Sequence, residues 1–379
     1  MKIAVYDTEH FETTYTVLKI LNTGHNTIVL FTDKKTSSIL KNMLSGEDTR
    51  NIHWEIKSGS SPGFILKMYR ICRREGIEIL LLNTVSYHHL YFSLSCFFLN
   101  STKSILTIHA VNNFFTPKPR FNVRSIMQWV GKKLLARSVF GYSVLLKSTR
   151  TFIEAKQLTQ KAVHVIPGAF YQNIDRPISI KRSPVLVVPG SIEQYRRNYE
   201  DVFNLANEAE KKEFYLRIVL LGTAVGEFGE RVLKQCRDLQ LTFVTFTYYT
   251  SPFVEQEEYD SQLKNCDFIF LPLSKTCQKQ DEQAEEYGVS ICSGSFFDAV
   301  RFAKPILIPE YIFLPAEITH QCFSYHSIYE LIDYLSGASI NEKYDFLSEA
   351  ALENSKNFTL EKVRADVFRQ LEISETPGD

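Results

Sequence analysis

Three groups of residues in this 379-residue chain have the chemistry to hold phosphate and hydroxyl groups. The first is Ser293-Gly294-Ser295, a small flexible turn before an apolar-periodic run with Phe297, Val300 and Ala303 on one face. Lys304-Pro305 ends that run, because proline has no N–H and disfavours helical geometry in the residue before it. A small-residue turn that opens a helix gathers unpaired backbone N–H groups and the positive end of the helix dipole at one point, and a phosphate fits there. An ordinary serine N-cap fits the same residues. Asp298, one turn into the helix, can accept ribose hydroxyls or simply complement the dipole. The second group is Arg196-Arg197, downstream of Gly190 and Ser191. A guanidinium fork suits a diphosphate, and a solvated pair at a helix start is the plain alternative. The third group sits at strand ends: His109 after Ser104–Ile108, and Glu9 and His10 after the first strand. These can bind hydroxyls or act as acid or base, although strand-end histidines are often only structural. Lys275 and Lys279 share a loop that reads more simply as solvated. His88-His89 lacks a third ligand, so no metal site is read there.

Alternating strands and helices must position these groups. The first half offers strands at Lys2–Asp7, Thr27–Phe31, Ile52–Ile56, Glu78–Leu82, Ser104–His109, Tyr142–Leu146 and Ala162–Ile166. Helical stretches intervene, among them Tyr87–Leu99 and Val123–Arg137. The run EILLL is apolar without alternation, as in a parallel sheet covered on both faces. Pro167-Gly168 closes this pattern, and residues 169–184 have no period and read as a linker. The pattern restarts with strands at Val185–Val188, Leu216–Leu221, Leu241–Thr247, Asp267–Leu271 and Ile306–Ile308. The tail reads as helices only, near 327–335, 343–354 and 360–371. Two such sets predict two doubly wound α/β domains facing a cleft, with ligands at the carboxyl ends of the strands. The expected boundaries are 1–168, a linker at 169–184, 185–355, and a final helix in 356–379.

Composition narrows the partners. The net charge of zero gives no global field for nucleic acid. No apolar run reaches the ~20 residues of a membrane span, and MKIAVYDTEH reads as a strand rather than a signal peptide. Seven scattered cysteines without a C-x-x-C pair read as reduced thiols in a cytosol. The charge is unevenly spread: no acid lies between Glu78 and Glu154, where nine cations run from Lys103 to Arg150. An anionic partner is expected for this half. Phe114, Phe115, Phe121, Trp129 and Val130, beside Arg124, Lys132 and Lys133, suggest an anionic membrane surface bound through span 103–150. A core helix with a wet side, or an acidic or phosphorylated glycan, would fit the same residues.

Several segments together resemble a known family. These are Val187-Val188-Pro189-Gly190-Ser191-Ile192 followed by Arg196-Arg197-Asn198; Ile218-Val219-Leu220-Leu221-Gly222; Cys266-Asp267-Phe268-Ile269-Phe270-Leu271-Pro272; and Gly294, Asp298-Ala299 and Lys304-Pro305-Ile306. In order and spacing they resemble the donor-binding domain of GT-B glycosyltransferases, the large retaining family that builds lipopolysaccharide, capsule and glycolipid glycans. Thr107-Ile108-His109, Leu145-Leu146-Lys147-Ser148 and Val165-Ile166-Pro167-Gly168 are similar more loosely. The resemblance implies a GT-B fold and a metal-independent transferase whose donor substrate is a nucleotide-diphosphate sugar, with no other cofactor. It implies a glycan or lipid-linked acceptor, and a cytoplasmic enzyme peripheral to the membrane. The second domain would hold the donor through Gly190, Ser191, Arg196, Arg197, Ser293, Gly294, Ser295 and Asp298. The first would hold the acceptor, with His109 near the reacting sugar beside Glu9 and His10, and the last helix would return to it. Two departures stand out. Eight positions before Asp298, where the family carries a glutamate, this chain has Ser290. The first loop, Thr8-Glu9-His10, has no glycine. A nucleotide-sugar epimerase or a non-catalytic partner subunit of the same fold are the alternatives.

Overall fold

A computed structural model describes residues 1–44, 46, 48–119, 122–173, 183–278 and 283–373. Of the expected linker, residues 174–182 lie outside the described residues, as do Arg120, Phe121 and Lys279. The chain divides into two compact units. One comprises Met1–Ala169, Asp281–Glu285 and Leu360–Asp379; the other comprises Phe170–Gln280 and Glu286–Thr359.

The first unit runs β1 (Lys2–Tyr6), α1 (Phe11–Leu21), β2 (Thr27–Thr32), α2 (Lys34–Met43), β3 (Ile52–Ile56), α3 (Ser61–Glu75) and β4 (Ile79–Leu82). It continues with α4 (His89–Phe98), β5 (Lys103–Thr107), α5 (Val111–Phe115), α6 (Val123–Ser138), β6 (Gly141–Val144), α7 (Lys147–Ala155) and β7 (Val163–Val165). The strands form one parallel sheet in the order β3-β2-β1-β4-β5-β6-β7. Central β4 is buried along its whole length, which is why its sequence does not alternate. Local signals set the helix ends. Ser60 accepts the Gly63 N–H at 3.3 Å to start α3, and Gly76 ends it at φ 66°, where a side chain would be strained.

The second unit runs β8 (Val185–Pro189), α8 (Tyr199–Lys211), β9 (Leu216–Leu221), α9 (Gly226–Asp238), β10 (Val244–Tyr248), α10 (Gln256–Asn265) and β11 (Phe268–Phe270). Two short strands follow, β12 (Thr276–Cys277) and β13 (Glu285–Glu286). Then come α11 (Gly294–Phe302), β14 (Ile306–Pro309), β15 (Cys322–Tyr325), α12 (Ile328–Ser336) and α13 (Ile340–Ser355). The sheet order is β10-β9-β8-β11-β14-β15, again parallel. The tail therefore holds a strand that its sequence did not announce. At the sheet edge, β15 is four residues long and only half-buried, so it carries no continuous apolar run.

The last helix, α14 (Leu360–Leu371), belongs to the first unit. Its Arg364 donates to the Ile20 and Lys19 carbonyls at 2.9 and 2.8 Å, closing the end of α1. Its Gln370 bonds the main chain of Val165 in β7 at 2.7 and 3.1 Å. Among the described residues no helix is long and apolar enough to cross a membrane. All seven cysteines carry free thiols.

Candidate functional site

In the second unit the site is built on the turn after β8. Gly190 sits at φ +95°, and a Cβ there would lie 2.7 Å from the Arg197 guanidinium. Glycine is required on both counts. Gly222, after β9, is just as constrained: a Cβ would come within 2.1 Å of the Gly190 carbonyl oxygen. Arg197 is buried behind this turn, 7% exposed. Its Nη2 donates to the Pro189 carbonyl and, at 3.4 Å, to the Ser295 hydroxyl, while Nη1 donates to the Ser191 carbonyl at 3.3 Å. Its Nε is buried and makes no hydrogen bond among the described residues, and no described carboxylate ion-pairs with the guanidinium. A buried cation without a paired anion carries a large desolvation penalty. Arg196 faces elsewhere and pairs with Glu193.

The same turn meets the start of α11. Ser295 is buried and within 3.4 Å of the Pro189 carbonyl. Ser293 is buried at the N-cap, but its hydroxyl does not cap the helix. The first N–H groups of the helix, at exposed Gly294 and at Ser295, have no intrahelical acceptor by construction. The structure thus brings Gly190, Ser191, Arg197, Ser293, Gly294 and Ser295 to one point. Asp298 lies a turn further on, against α10, where its carboxylate accepts the Tyr259 hydroxyl at 2.9 Å. Burial raises its pKa from 3.8 to about 6, against the lowering effects of Tyr259, Arg301 and Arg197. Arg301 is itself held by a bidentate pair with Asp260 at 2.9 and 2.7 Å. Lys275 is exposed in its loop. Ser290 is 1% exposed, and its hydroxyl accepts the Glu286 N–H at 2.9 Å, so this position closes a turn. Lys304 is buried and donates to the Lys264 and Cys266 carbonyls at 2.8 and 2.7 Å, sealing the end of α10.

In the first unit a second cluster gathers at the carboxyl ends of β1, β4 and β5. Its centre is Asp7, which sequence reasoning passed over. Asp7 is fully buried. One carboxylate oxygen accepts the Glu9 and His10 N–H groups at 2.7 and 3.0 Å; the other accepts Asn83 Nδ2 at 2.6 Å and the Thr84 hydroxyl at 3.0 Å. It ties the loop bearing Glu9 and His10 to the loop after β4. His109 Nε2 lies 2.8 Å from the Asn83 carbonyl. A carbonyl only accepts, so Nε2 carries the proton and Nδ1 the lone pair. Burial, then the neighbouring His10, push the His109 pKa down to about 4, so the ring is neutral. The His10 and His109 rings are 4.9 Å apart, centre to centre. Glu9 accepts the Ser86 hydroxyl at 2.6 Å and stays exposed. The structure therefore brings Glu9, His10 and His109 together, and adds Asp7, Asn83, Thr84 and Ser86. The available signal was the polar D-T-E-H and N-T-V-S runs after apolar strands.

The aromatics expected at a membrane need correcting. Phe114 and Phe115 pack edge-on against buried Tyr142, at 6.1 and 5.1 Å between ring centres, as part of the first unit's core. Trp129 is half-buried, and Phe121 lies outside the described residues. Among the described residues no three His, Cys, Asp or Glu side chains form a metal-binding group.

Two parallel-sheet α/β domains with these strand-end loops define the GT-B fold. No family model matches the chain, and no curated protein matches it in sequence. Solved structures do match it in shape. The Anabaena protein HepE, crystallised with UDP, superposes with a TM-score of 0.66 at 12% identity, covering 98% of this chain and 100% of HepE. A Rickettsia africae glycosyltransferase gives 0.66 at 14% identity, covering 99% of each chain. The UDP-GlcNAc 2-epimerase of Neisseria meningitidis, bound to UDP-GlcNAc, gives 0.59 at 12% identity, covering 99% of this chain and 100% of its own. At such identities the likeness establishes the fold.

Proposed function

We propose that this chain is a glycosyltransferase that takes a nucleotide-diphosphate sugar and moves its sugar to a glycan or lipid-linked acceptor, in cell-surface polysaccharide or glycolipid synthesis. One observation carries the donor site: Arg197, a buried cation with no described carboxylate paired to it, set between a glycine turn and the N-terminus of α11. An anionic ligand supplies the missing charge. As the bond from the sugar to the diphosphate breaks, negative charge grows on the leaving group. Arg197 and the N–H groups of Gly294 and Ser295 stabilise that charge, Arg196 swings in from Glu193, and no metal ion is needed. Gly190 and Ser191 let the main chain approach the phosphates, Ser293 and Ser295 add hydroxyls, and Asp298 accepts from the ribose. In the first unit the lone pair of neutral His109 receives a hydroxyl proton in a hydrogen bond, with Glu9 and His10 beside it. The domain assignment proposed is an acceptor domain 1–168, a linker 169–184, a donor domain 185–355 and a returning helix in 356–379. A cytoplasmic enzyme at the inner membrane face accords with the free thiols and the acid-free span.

The likeness to UDP-GlcNAc 2-epimerase supports a second reading, epimerisation of the donor sugar itself. The first test is a thermal-shift series with UDP, GDP, CMP, ADP and dTDP. A nucleotide in large excess over its dissociation constant adds roughly 2–4 kcal/mol to the folded state. No shift with any of them, in a folded sample, removes the donor site and favours a non-catalytic partner subunit. With the nucleotide known, NMR of the matching sugar donor without acceptor separates the remaining readings: a new epimer means epimerase, and acceptor-dependent nucleotide release means transferase.

A further inference from the structure

The turn after β8 ends in a strained tip. Main-chain bonds fix both of its flanks. On one side the Ile192 N–H donates to the Thr223 carbonyl at 2.8 Å, and the Val225 N–H donates to the Ile192 carbonyl at 3.0 Å. On the other, the Asn198 N–H donates to the Pro272 carbonyl at 2.7 Å, and the Ser274 N–H to the Arg196 carbonyl at 3.1 Å. Between them stand Glu193, Gln194 and Tyr195. Tyr195 is 49% exposed and sits at φ 78°, in the left-handed region. A bulky side chain is strained there, and such strain persists only where the surroundings hold it. What spans the tip is an ion pair between Arg196 Nε and the Glu193 carboxylate, three residues back. The Glu193 side chain is tucked in, 18% exposed, and that of Arg196 is 42% exposed. Among the described residues the Nη groups of Arg196 make no hydrogen bond, so one edge of its fork is open.

The two adjacent arginines therefore have different needs. Arg197 has no described carboxylate, whereas Arg196 has one supplied by the chain itself. Both act on one spot: burial, then Cys277, raise the pKa of the buried Tyr287 hydroxyl, and Arg196 and Arg197 both oppose the rise. One phosphate answers Arg197. A second phosphate on the same ligand is needed to draw Arg196 off Glu193. We infer that Glu193 is a specificity-determining residue, the resident counter-ion of Arg196, which a ligand with two linked phosphates displaces and a monophosphate does not. The exchange frees the tip, so release of the strain at Tyr195 offsets part of the broken pair. Affinity for the diphosphate is lowered by the fraction of molecules in which the pair is closed. This inference rests on the donor site proposed above.

Calorimetry with a nucleoside diphosphate and its monophosphate tests it, with UDP and UMP as the pair if the thermal-shift series selects uracil. Glu193→Gln should tighten the diphosphate about two- to fivefold, the worth of a partly exposed ion pair, and leave the monophosphate unchanged. Glu193→Ala, which leaves nothing to hold Arg196, should do the same. The position is at the surface, so folding should persist, and melting temperatures check this. Equal tightening of both nucleotides means that Glu193 acts only as a distant negative charge, and overturns the inference. Unchanged diphosphate binding in both variants overturns it too. In either case wild-type binding leaves the donor site standing. Binding by the variants alone supports the inference, with Glu193 shutting the site. No binding by wild type or variants removes the donor site and the inference with it.

Discussion

The two strand-end clusters solve opposite electrostatic problems. In the first unit a buried carboxylate, Asp7, is answered completely from within: four donors surround it, and the adjacent His109 is held neutral. In the second unit a buried guanidinium, Arg197, is answered among the described residues only by carbonyls and a hydroxyl, with its Nε left without a partner. A closed network organises its own loops and needs no ligand. An open one carries a standing cost that a bound anion removes. The first cluster thus holds its shape by itself, and in the function proposed above the second receives a charge.

The largest effect should come from breaking the closed cluster. Asp7→Ala leaves four donors unanswered in a buried place, and urea unfolding should show a loss of about 3–5 kcal/mol. Little change would mean the loops hold without it. Next, Arg197→Met should weaken nucleotide binding by about 10- to 100-fold in calorimetry, the worth of a charge-assisted hydrogen bond. The accompanying loss of stability in the free protein should be about 1–2 kcal/mol, less than for Asp7→Ala. If both variants lose stability alike, the contrast between clusters fails. Asp298 gives a pH test. Its folded pKa, about 6, lies above its ordinary 3.8, so the folded state binds the proton more tightly and stability falls as pH rises between these values. Asp298→Asn should therefore gain about 2 kcal/mol at pH 7 and almost nothing at pH 3, while weakening nucleotide binding. His109 gives a second pH test, of the opposite sign. Its pKa is lowered from 6.5 to about 4, so the neutral ring's contribution is full at neutral pH and is lost as pH falls through that window. His109→Gln should flatten that acid limb by about 2–3 kcal/mol. Nitrogen NMR should find the ring neutral, with its proton on Nε2, at pH 6.

Much of this was legible in the sequence, for a physical reason in each case. Runs such as EILLL and LRIVLL cannot be solvated, so the central parallel strands declare themselves. The Ser293–Ser295 turn and Gly190 were legible because helix starts and positive φ angles restrict residue choice. Asp7 was not, because one carboxylate after a strand looks the same whether it is solvated or surrounded by donors from residues 9, 10, 83 and 84. Arg196 and Arg197 are adjacent in sequence yet opposite in fate, one half-exposed beside Glu193 and one buried. Which aromatics are covered was not legible for a related reason. Phe114 and Phe115 have the same composition as Phe97 and Phe98, and only the packing of Tyr142 decides which pair is covered.

The return of α14 to the first unit has a consequence for synthesis of the protein. The ribosome makes residues 360–371 after the whole of the second unit, yet they close α1 and bond β7 in the first half of the chain. The second unit can fold while translation is still under way. The first, though it emerges earlier, waits with the end of α1 uncapped and the edge of β7 unpaired until the last helix leaves the exit tunnel. Chaperone demand should fall on the part of the chain that is made first.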